Sequence, residues 1–319
     1  MNTDKVNSIV SFLRPLISAH RSASANVPFV LGFSGPQGCG KSTLVAELST
    51  ALRQAPFNYK VIELSLDDLY LTHEGQERLS EEFPNNKLYR HRGEPGTHDV
   101  ALGEKTLKSL VQNKVTPVPR YDKSKFQGQG DRVPESEWPV MTPPFDVVLF
   151  EGWCAGFRAI SIDELEALYA QSTSLARDET DPDAAPAVDP ANLEASSIDQ
   201  LKEPVPTTLA HHQFSDLQQV NHELKKLQQL WKYFDAFVHL DSLDINFTYK
   251  WRLQQEHALI QKRGTGMTDQ QVKKFIDGYM PAYEMYIPGL REQTLLTRPN
   301  RQLRLVLDED RKVKFERVK

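Results

Sequence analysis

Two cysteines in 319 residues, Cys39 and Cys154, are too few for a disulfide framework, and neither stands in a metal-ligand spacing. A reducing compartment is therefore expected, with the cytoplasm as the address and nuclear entry left open. A basic surplus is also missing. The 38 Lys and Arg face 43 Asp and Glu for a formal charge of -5, which argues against nucleic acid as a bulk partner. No apolar run is long enough to cross a membrane or continuous enough for a signal peptide. Residues 1–19 instead place Val6, Ile9, Val10, Phe12, Leu13 and Ile17 among charged neighbours, as an amphipathic helix does. The aromatic platforms of nucleic-acid binders are absent, and His211, His212, His239 and His257 lack partner sets for a metal. What remains, 39% hydrophobic and 25% charged, is the composition of a globular protein with a sizeable core.

The strongest positive signal is the run Gly35, Pro36, Gln37, Gly38, Cys39, Gly40, Lys41, Ser42, a complete Walker A phosphate cradle. Its context supports it. Phe29–Ser34 is a short apolar run suited to a buried parallel strand, and residues 43–48 carry helical spacing. Glycines let the loop turn its N–H groups toward phosphate oxygens, where the helix N-terminus adds partial positive charge. Lys41 would reach the outer phosphates and the Ser42 hydroxyl would ligate magnesium.

Further strands are expected at 61–66, 147–150, 236–240 and 303–307, alternating with helices at 101–111, 216–233, 249–262 and 269–279. The last of these starts from Thr268 as N-cap, with Gln271 in the capping-box position, and Pro281 is expected to end it. Residues 306–318 suggest a closing hairpin. The fold class is thus α/β with a mostly parallel sheet. The stretch 172–208 is rich in Ala, Pro, Asp, Glu and Ser and shows no periodicity, so it reads as a disordered insertion in a single domain spanning 1–319.

Ligands of such sheets sit at the carboxyl ends of the strands. Asp67, Asp68 and Tyr70 follow the second strand there, and Glu151 follows the 147–150 run in the manner of a Walker B carboxylate. Glu151 can hold a metal opposite Ser42, while Asp67 is placed to orient an alcohol and accept its proton. The acidic pair could equally be only a turn and helix cap. Between these strands, Arg92, His98, Tyr121, Lys123 and Arg132 supply charge and hydroxyls suited to an acceptor that is itself a small hydroxylated anion. Farther on, Arg252, or else Arg263, could be delivered to the phosphates by a mobile lid; the competing reading of Arg252 is an ion pair with Glu256 one helical turn away.

Taken together, G-P-Q-G-C-G-K-S, L-D-D-L-Y-L-T-H, R-G-E-P-G-T-H-D, P-R-Y-D-K-S, L-F-E-G-W and W-R-L-Q-Q-E-H resemble the blocks of glycerate 3-kinase-type P-loop kinases of fungi and plants. They are more distantly similar to uridine kinase, phosphoribulokinase and bacterial pantothenate kinase. The resemblance implies a P-loop NTPase-type fold, a doubly wound, mostly parallel sheet with helices on both faces and a mobile lid, and an ATP-dependent, Mg²⁺-assisted kinase of a small hydroxy acid, D-glycerate being the favoured acceptor. It assigns Lys41 and Ser42 to phosphate and metal, Asp67 to the acceptor hydroxyl, Glu151 to the metal shell and Arg252 to the lid. Tyr121, Lys123 and Arg132 fall in the stretch that helps form the acceptor pocket in relatives. A nucleoside or pantothenate kinase on the same scaffold, and a non-catalytic nucleotide-dependent module, are the alternatives.

Overall fold

A computed structural model describes residues 3–178 and 193–319. The amphipathic N-terminus forms α1 (Thr3–Ala23), which buries Ile9, Leu13 and Ile17, one residue per turn on a single face. Next come β1 (Phe29–Ser34), α2 (Lys41–Arg53), β2 (Val61–Ser65), α3 (His73–Glu82) and α4 (Val100–Val111). Four two-residue strands follow: β3 (Thr116–Pro117), β4 (Tyr121–Asp122), β5 (Asp131–Arg132) and β6 (Val140–Met141). The chain continues through β7 (Val147–Gly152), α5 (Ile162–Asp178), α6 (Phe214–Leu227), β8 (Ala236–Ser242), α7 (Phe247–Arg263), α8 (Asp269–Asp277) and α9 (Met280–Glu292). It ends on β9 (Gln302–Leu307) and β10 (Val313–Val318).

The main sheet runs β10-β9-β8-β1-β7-β2, with every pairing parallel except the antiparallel β9–β10 hairpin at one edge. Strand pleating sends alternate residues into two cores. Phe29, Leu31 and Phe33 join one with α1 and α2, whereas Val30, Val148 and Phe150 join the other with α4, α6 and α9. β1 lies inside the sheet with β7 and β8 on either side, so its carboxyl end opens into the crevice where such sheets place their ligands. β4 and β5 pair Tyr121 with Arg132 and Asp122 with Asp131 in a small hairpin above that crevice.

The capping box of Thr268 and Gln271 is present, but α8 stops at Asp277, and Pro281 stands in the first turn of a new helix, α9. A proline lacking its N–H is harmless there, so it begins a helix instead of only ending one. The expected irregular stretch 172–208 proves ordered at both ends. Residues 172–178 continue α5, and the Ser172 hydroxyl accepts from the Ala210 N–H at 2.9 Å. Thr207 and Thr208 donate to the Glu284 carboxylate on α9 through backbone and hydroxyl groups. The middle of the stretch, 179–192, lies outside the described residues. Among the described residues, no helix is long and apolar enough to cross a membrane.

At the carboxyl end of β8, Asp241 is buried and accepts from Arg291 Nε and Nη2, both at 2.9 Å, and from Arg304 Nε at 2.8 Å. Burial opposes its charge, but the two guanidiniums override this and hold the carboxyl far below the ordinary value. Its contribution is thus complete above the unfolded carboxylate range near pH 4 and is lost only as pH falls below it. Asp241→Asn strands the buried Arg304 and leaves Arg291 with only the partly exposed Glu203, and it should cost about 3–5 kcal/mol in denaturant unfolding at neutral pH. A loss under about 1 kcal/mol would show that the pairing is dispensable.

Candidate active site

The phosphate cradle crosses from the end of β1 to the first turn of α2. Gly38 and Gly40 adopt φ of +81° and +89°, values that side chains other than glycine resist. At Gly38 space is also closed: a Cβ would lie 2.6 Å from that of Trp251 on α7. The loop is tied from outside as well. Gln37 N–H donates to the Tyr283 hydroxyl at 3.0 Å, and Arg311 Nε in the β9–β10 turn donates to the Gly38 carbonyl at 2.8 Å. Gly35 and Pro36 begin the cradle, and the Cys39 side chain is buried in the core, where loss of solvent pushes its thiol up.

Lys41 forms an ion pair with Glu151 of β7, both side chains nearly buried at 12% and 13% exposure. Burial works against the ammonium, but the carboxylate beside it prevails and holds Lys41 above its ordinary value. The other Glu151 oxygen accepts from Ser65 Oγ at 2.7 Å, and Ser65 Oγ in turn accepts from the Asp67 N–H at 3.2 Å. One serine thus links the Walker B-like carboxylate to the turn carrying the proposed base. Ser42 is exposed at the start of α2. No cluster of three or more His, Cys, Asp or Glu suited to a metal occurs among the described residues. The hydroxyl and carboxylate that face the cradle are hard oxygen donors, the type that holds magnesium together with phosphate oxygens and water.

Asp67 and Asp68 lie in a short 3₁₀ turn after β2 and do different work. Asp67 pairs with Lys123 at 2.5 Å. Burial raises its pKa, yet Lys123, followed by Lys41 and the Tyr70 phenol, brings it down to about 2. Asp68 accepts from Arg120 Nη1 at 3.2 Å and from the Tyr121 N–H at 3.1 Å, so it anchors β4 to the turn. The role expected for it in acceptor contact has a structural competitor in these bonds.

The remaining candidates gather on the same rim. Tyr70 stacks on His98 at 4.6 Å and meets Tyr121 edge-on at 5.4 Å. Arg132 donates to the Tyr70 carbonyl at 2.8 Å and pairs with Asp99 at 3.1 Å. Arg92 lies over the Tyr121 ring at 5.5 Å, and its Nη1 donates to the carbonyls of Gly128 and Gln129, which holds the β4–β5 loop. Arg252 is paired with Glu256 at 2.7 Å, and Glu256 also accepts from Met267 N–H in the loop between α7 and α8. The backbone of Trp251 and Arg252 abuts Gly38, whereas Arg263, at the far end of α7, is exposed.

Sequence reasoning missed the aromatic wall from the carboxyl-terminal third. Tyr279 and Tyr283, four residues apart, both meet Trp153 edge-on, at 4.8 and 5.5 Å. Trp153 Nε1 donates to the Gly93 carbonyl, which joins this wall to the 93–98 turn. The (i, i+4) spacing of the tyrosines was a usable signal, obscured by Pro281 between them.

Residues 30–168 match the Phosphoribulokinase / Uridine kinase family. The chain is 38% identical over 287 residues to the uncharacterized kinase mug58 of Schizosaccharomyces pombe, covering 89% of each protein. It is 36% identical to the chloroplastic D-glycerate 3-kinase of Arabidopsis thaliana, covering 89% of this chain and 53% of that protein. Among solved structures, a D-glycerate 3-kinase from Cryptococcus neoformans superposes with a TM-score of 0.82 at 34% identity, over 99% of both chains. A complete phosphate cradle, a parallel sheet that presents acidic residues beside it and this depth of likeness give one conclusion: the chain belongs to the ATP-dependent kinases of glycerate 3-kinase type.

Proposed function

We propose that this kinase transfers the γ-phosphoryl group of ATP to the primary hydroxyl of D-glycerate. The observation that carries the reading is the Asp67–Lys123 pair on the same rim as the Lys41–Glu151 pair: an alcohol-orienting carboxylate and a spare cation beside a phosphate cradle. The relatives named D-glycerate 3-kinase support the choice of acceptor. Free, buried thiols at Cys39 and Cys154 suit the reducing cytoplasm that we propose as its location.

In this proposal the triphosphate lies against the backbone of Gly35–Ser42, and Lys41 exchanges Glu151 for the outer phosphate oxygens. Ser42 and Glu151 would hold the magnesium ion, which supplies positive charge to the β- and γ-oxygens. The acceptor carboxylate draws Lys123 away from Asp67. That exchange frees Asp67 to accept the hydroxyl proton while the oxygen attacks phosphorus and ADP departs. A carboxylate held near 2 by its lysine is a poor proton acceptor, so loss of that partner is what raises its basicity. Arg252, released from Glu256, and the segment joining α7 to α8 would cover the phosphates and exclude water.

Asp67→Asn is expected to lower acceptor-dependent ADP formation by about two or more orders of magnitude while ATP affinity holds. Near-normal turnover would remove Asp67 from the mechanism. A panel of D-glycerate, nucleosides and pantothenate run in the same coupled assay identifies the acceptor, and turnover confined to a nucleoside would replace the proposal. Lys123→Met takes away the charge that depresses Asp67, so its pKa should rise by about one unit or more. The acid-side fall of kcat/KM for the acceptor, which reports the free enzyme, then moves to higher pH. An unchanged profile would show that Lys123 does not set the ionisation of the base.

A further inference from the structure

The turn at residues 93–98, between α3 and α4, combines a tied backbone with polar side chains that find no hydrogen-bond partner among the described residues. Gly93 N–H donates to Thr97 Oγ1 at 3.0 Å, Thr97 Oγ1 donates to the Glu94 carbonyl at 2.8 Å, and the Asp99 side chain caps α4. Yet among the described residues Glu94, 3% exposed, finds no hydrogen bond for either carboxyl oxygen, and His98, 6% exposed, finds none for either ring nitrogen. The buried hydroxyl of Tyr286 on α9 is likewise unmatched. Each such group forfeits hydration without recompense, and native proteins retain few of them. A loose loop is not the reason, because Gly93, Pro95, Thr97 and Asp99 are all tied through backbone hydrogen bonds.

These atoms lie toward the proposed acceptor site. His98 stacks on Tyr70, whose phenol lies near enough to Asp67 to lower the carboxyl and be raised by it in turn. Trp153 meets Tyr279 edge-on at 4.8 Å and donates Nε1 to the Gly93 carbonyl at 3.2 Å, which brings the Glu94 turn against the aromatic wall of the site. The Tyr279 phenol is pushed up first by burial and then by Asp67 and Glu94. The same pair acts on the buried Cys154 thiol. No cation contributes to Glu94: burial alone shifts its carboxyl well above the ordinary range.

We propose that Glu94 determines acceptor specificity by hydrogen-bonding an oxygen of the bound hydroxy acid other than the one phosphorylated, with His98 and Tyr286 completing the polar wall. This rests on the kinase reading given above. A neutral carboxyl offers one donor and one acceptor and does not repel an anionic substrate, whereas an ionised one would. Groups left unpaired in the free enzyme and satisfied by the substrate also discriminate strongly against analogues that lack the matching oxygen.

The test compares wild type, Glu94→Gln and Glu94→Leu by KM for D-glycerate, KM for ATP, and thermal midpoint. Glu94→Leu should raise the D-glycerate KM about tenfold or more, leave the ATP KM unchanged and keep or raise the midpoint, because an unmatched buried carboxyl is removed. Glu94→Gln, which retains a donor and an acceptor, should stay within about threefold of wild type. Preference for D-glycerate over 3-hydroxypropionate, which lacks the neighbouring hydroxyl, should narrow in Glu94→Leu. The proposal is overturned if Glu94→Leu leaves the acceptor KM and preference unaltered, or if it lowers the midpoint and raises both KM values together, the mark of a purely structural group. If wild type uses another member of the acceptor panel, D-glycerate falls as the substrate, and the same KM and midpoint comparison with that acceptor still decides the role of Glu94. A wild type that uses none overturns both readings.

Discussion

The Lys41–Glu151 pair is the contact on which the rest of the site is arranged. Parallel register sets Glu151 level with Phe33 of β1 on one side and Ser65 of β2 on the other. The carboxylate therefore lies between the strand that launches the phosphate cradle and the strand that launches the Asp67 turn. Both charges are nearly buried, and each tolerates loss of solvent because the other is present. In the proposed mechanism a lysine so placed is aligned for phosphate before any arrives, and the substitution of one anion for another would leave its charge matched throughout.

Around that contact the molecule divides its polar groups by purpose. Asp68, Arg92 and much of Arg132 are engaged with backbone and neighbouring side chains, so they shape the rim above the crevice. Asp67 is held by a single lysine that is 56% exposed and so readily drawn elsewhere. Deeper in, the tyrosines of α9 and the aromatic residues after β7 exclude water, which strengthens every electrostatic interaction nearby. Outer charges that can move and inner groups that cannot are what an anionic acceptor requires: guidance on entry, then fixed geometry.

Much of this was legible in the sequence because it rests on local rules. The cradle, its flanking strand and helix, the acidic pair after β2 and the carboxylate near the end of β7 all follow from short-range patterns, as does the capping box of Thr268, although β7 runs on through Glu151 where the pattern ends the strand at 150. The closing hairpin is likewise where its pattern placed it. The illegible parts depend on contacts distant in the chain. α3 buries none of its residues and so carries no apolar stripe to reveal it. α9 is apolar on nearly every face and contains prolines, which erase helical periodicity. Residues 193–208 have a low-complexity composition, yet Thr207 and Thr208 are fixed by Glu284, some 76 residues onward. Partners at that separation leave no mark on local composition. In the site, the same limit hid Ser65 and the tyrosine wall, and it left Arg252 with the ion-pair partner that spacing alone suggested.

The central claim is that one rim brings the end of a triphosphate to the primary hydroxyl of D-glycerate. Phosphorus NMR of the full-length protein incubated with magnesium, ATP and D-glycerate tests it directly. The account predicts that the γ-phosphate signal is replaced by that of a phosphate monoester, with the new ester's proton coupling placing it on the primary carbon. Release of inorganic phosphate with D-glycerate unchanged, or an ester at the secondary hydroxyl, would contradict it.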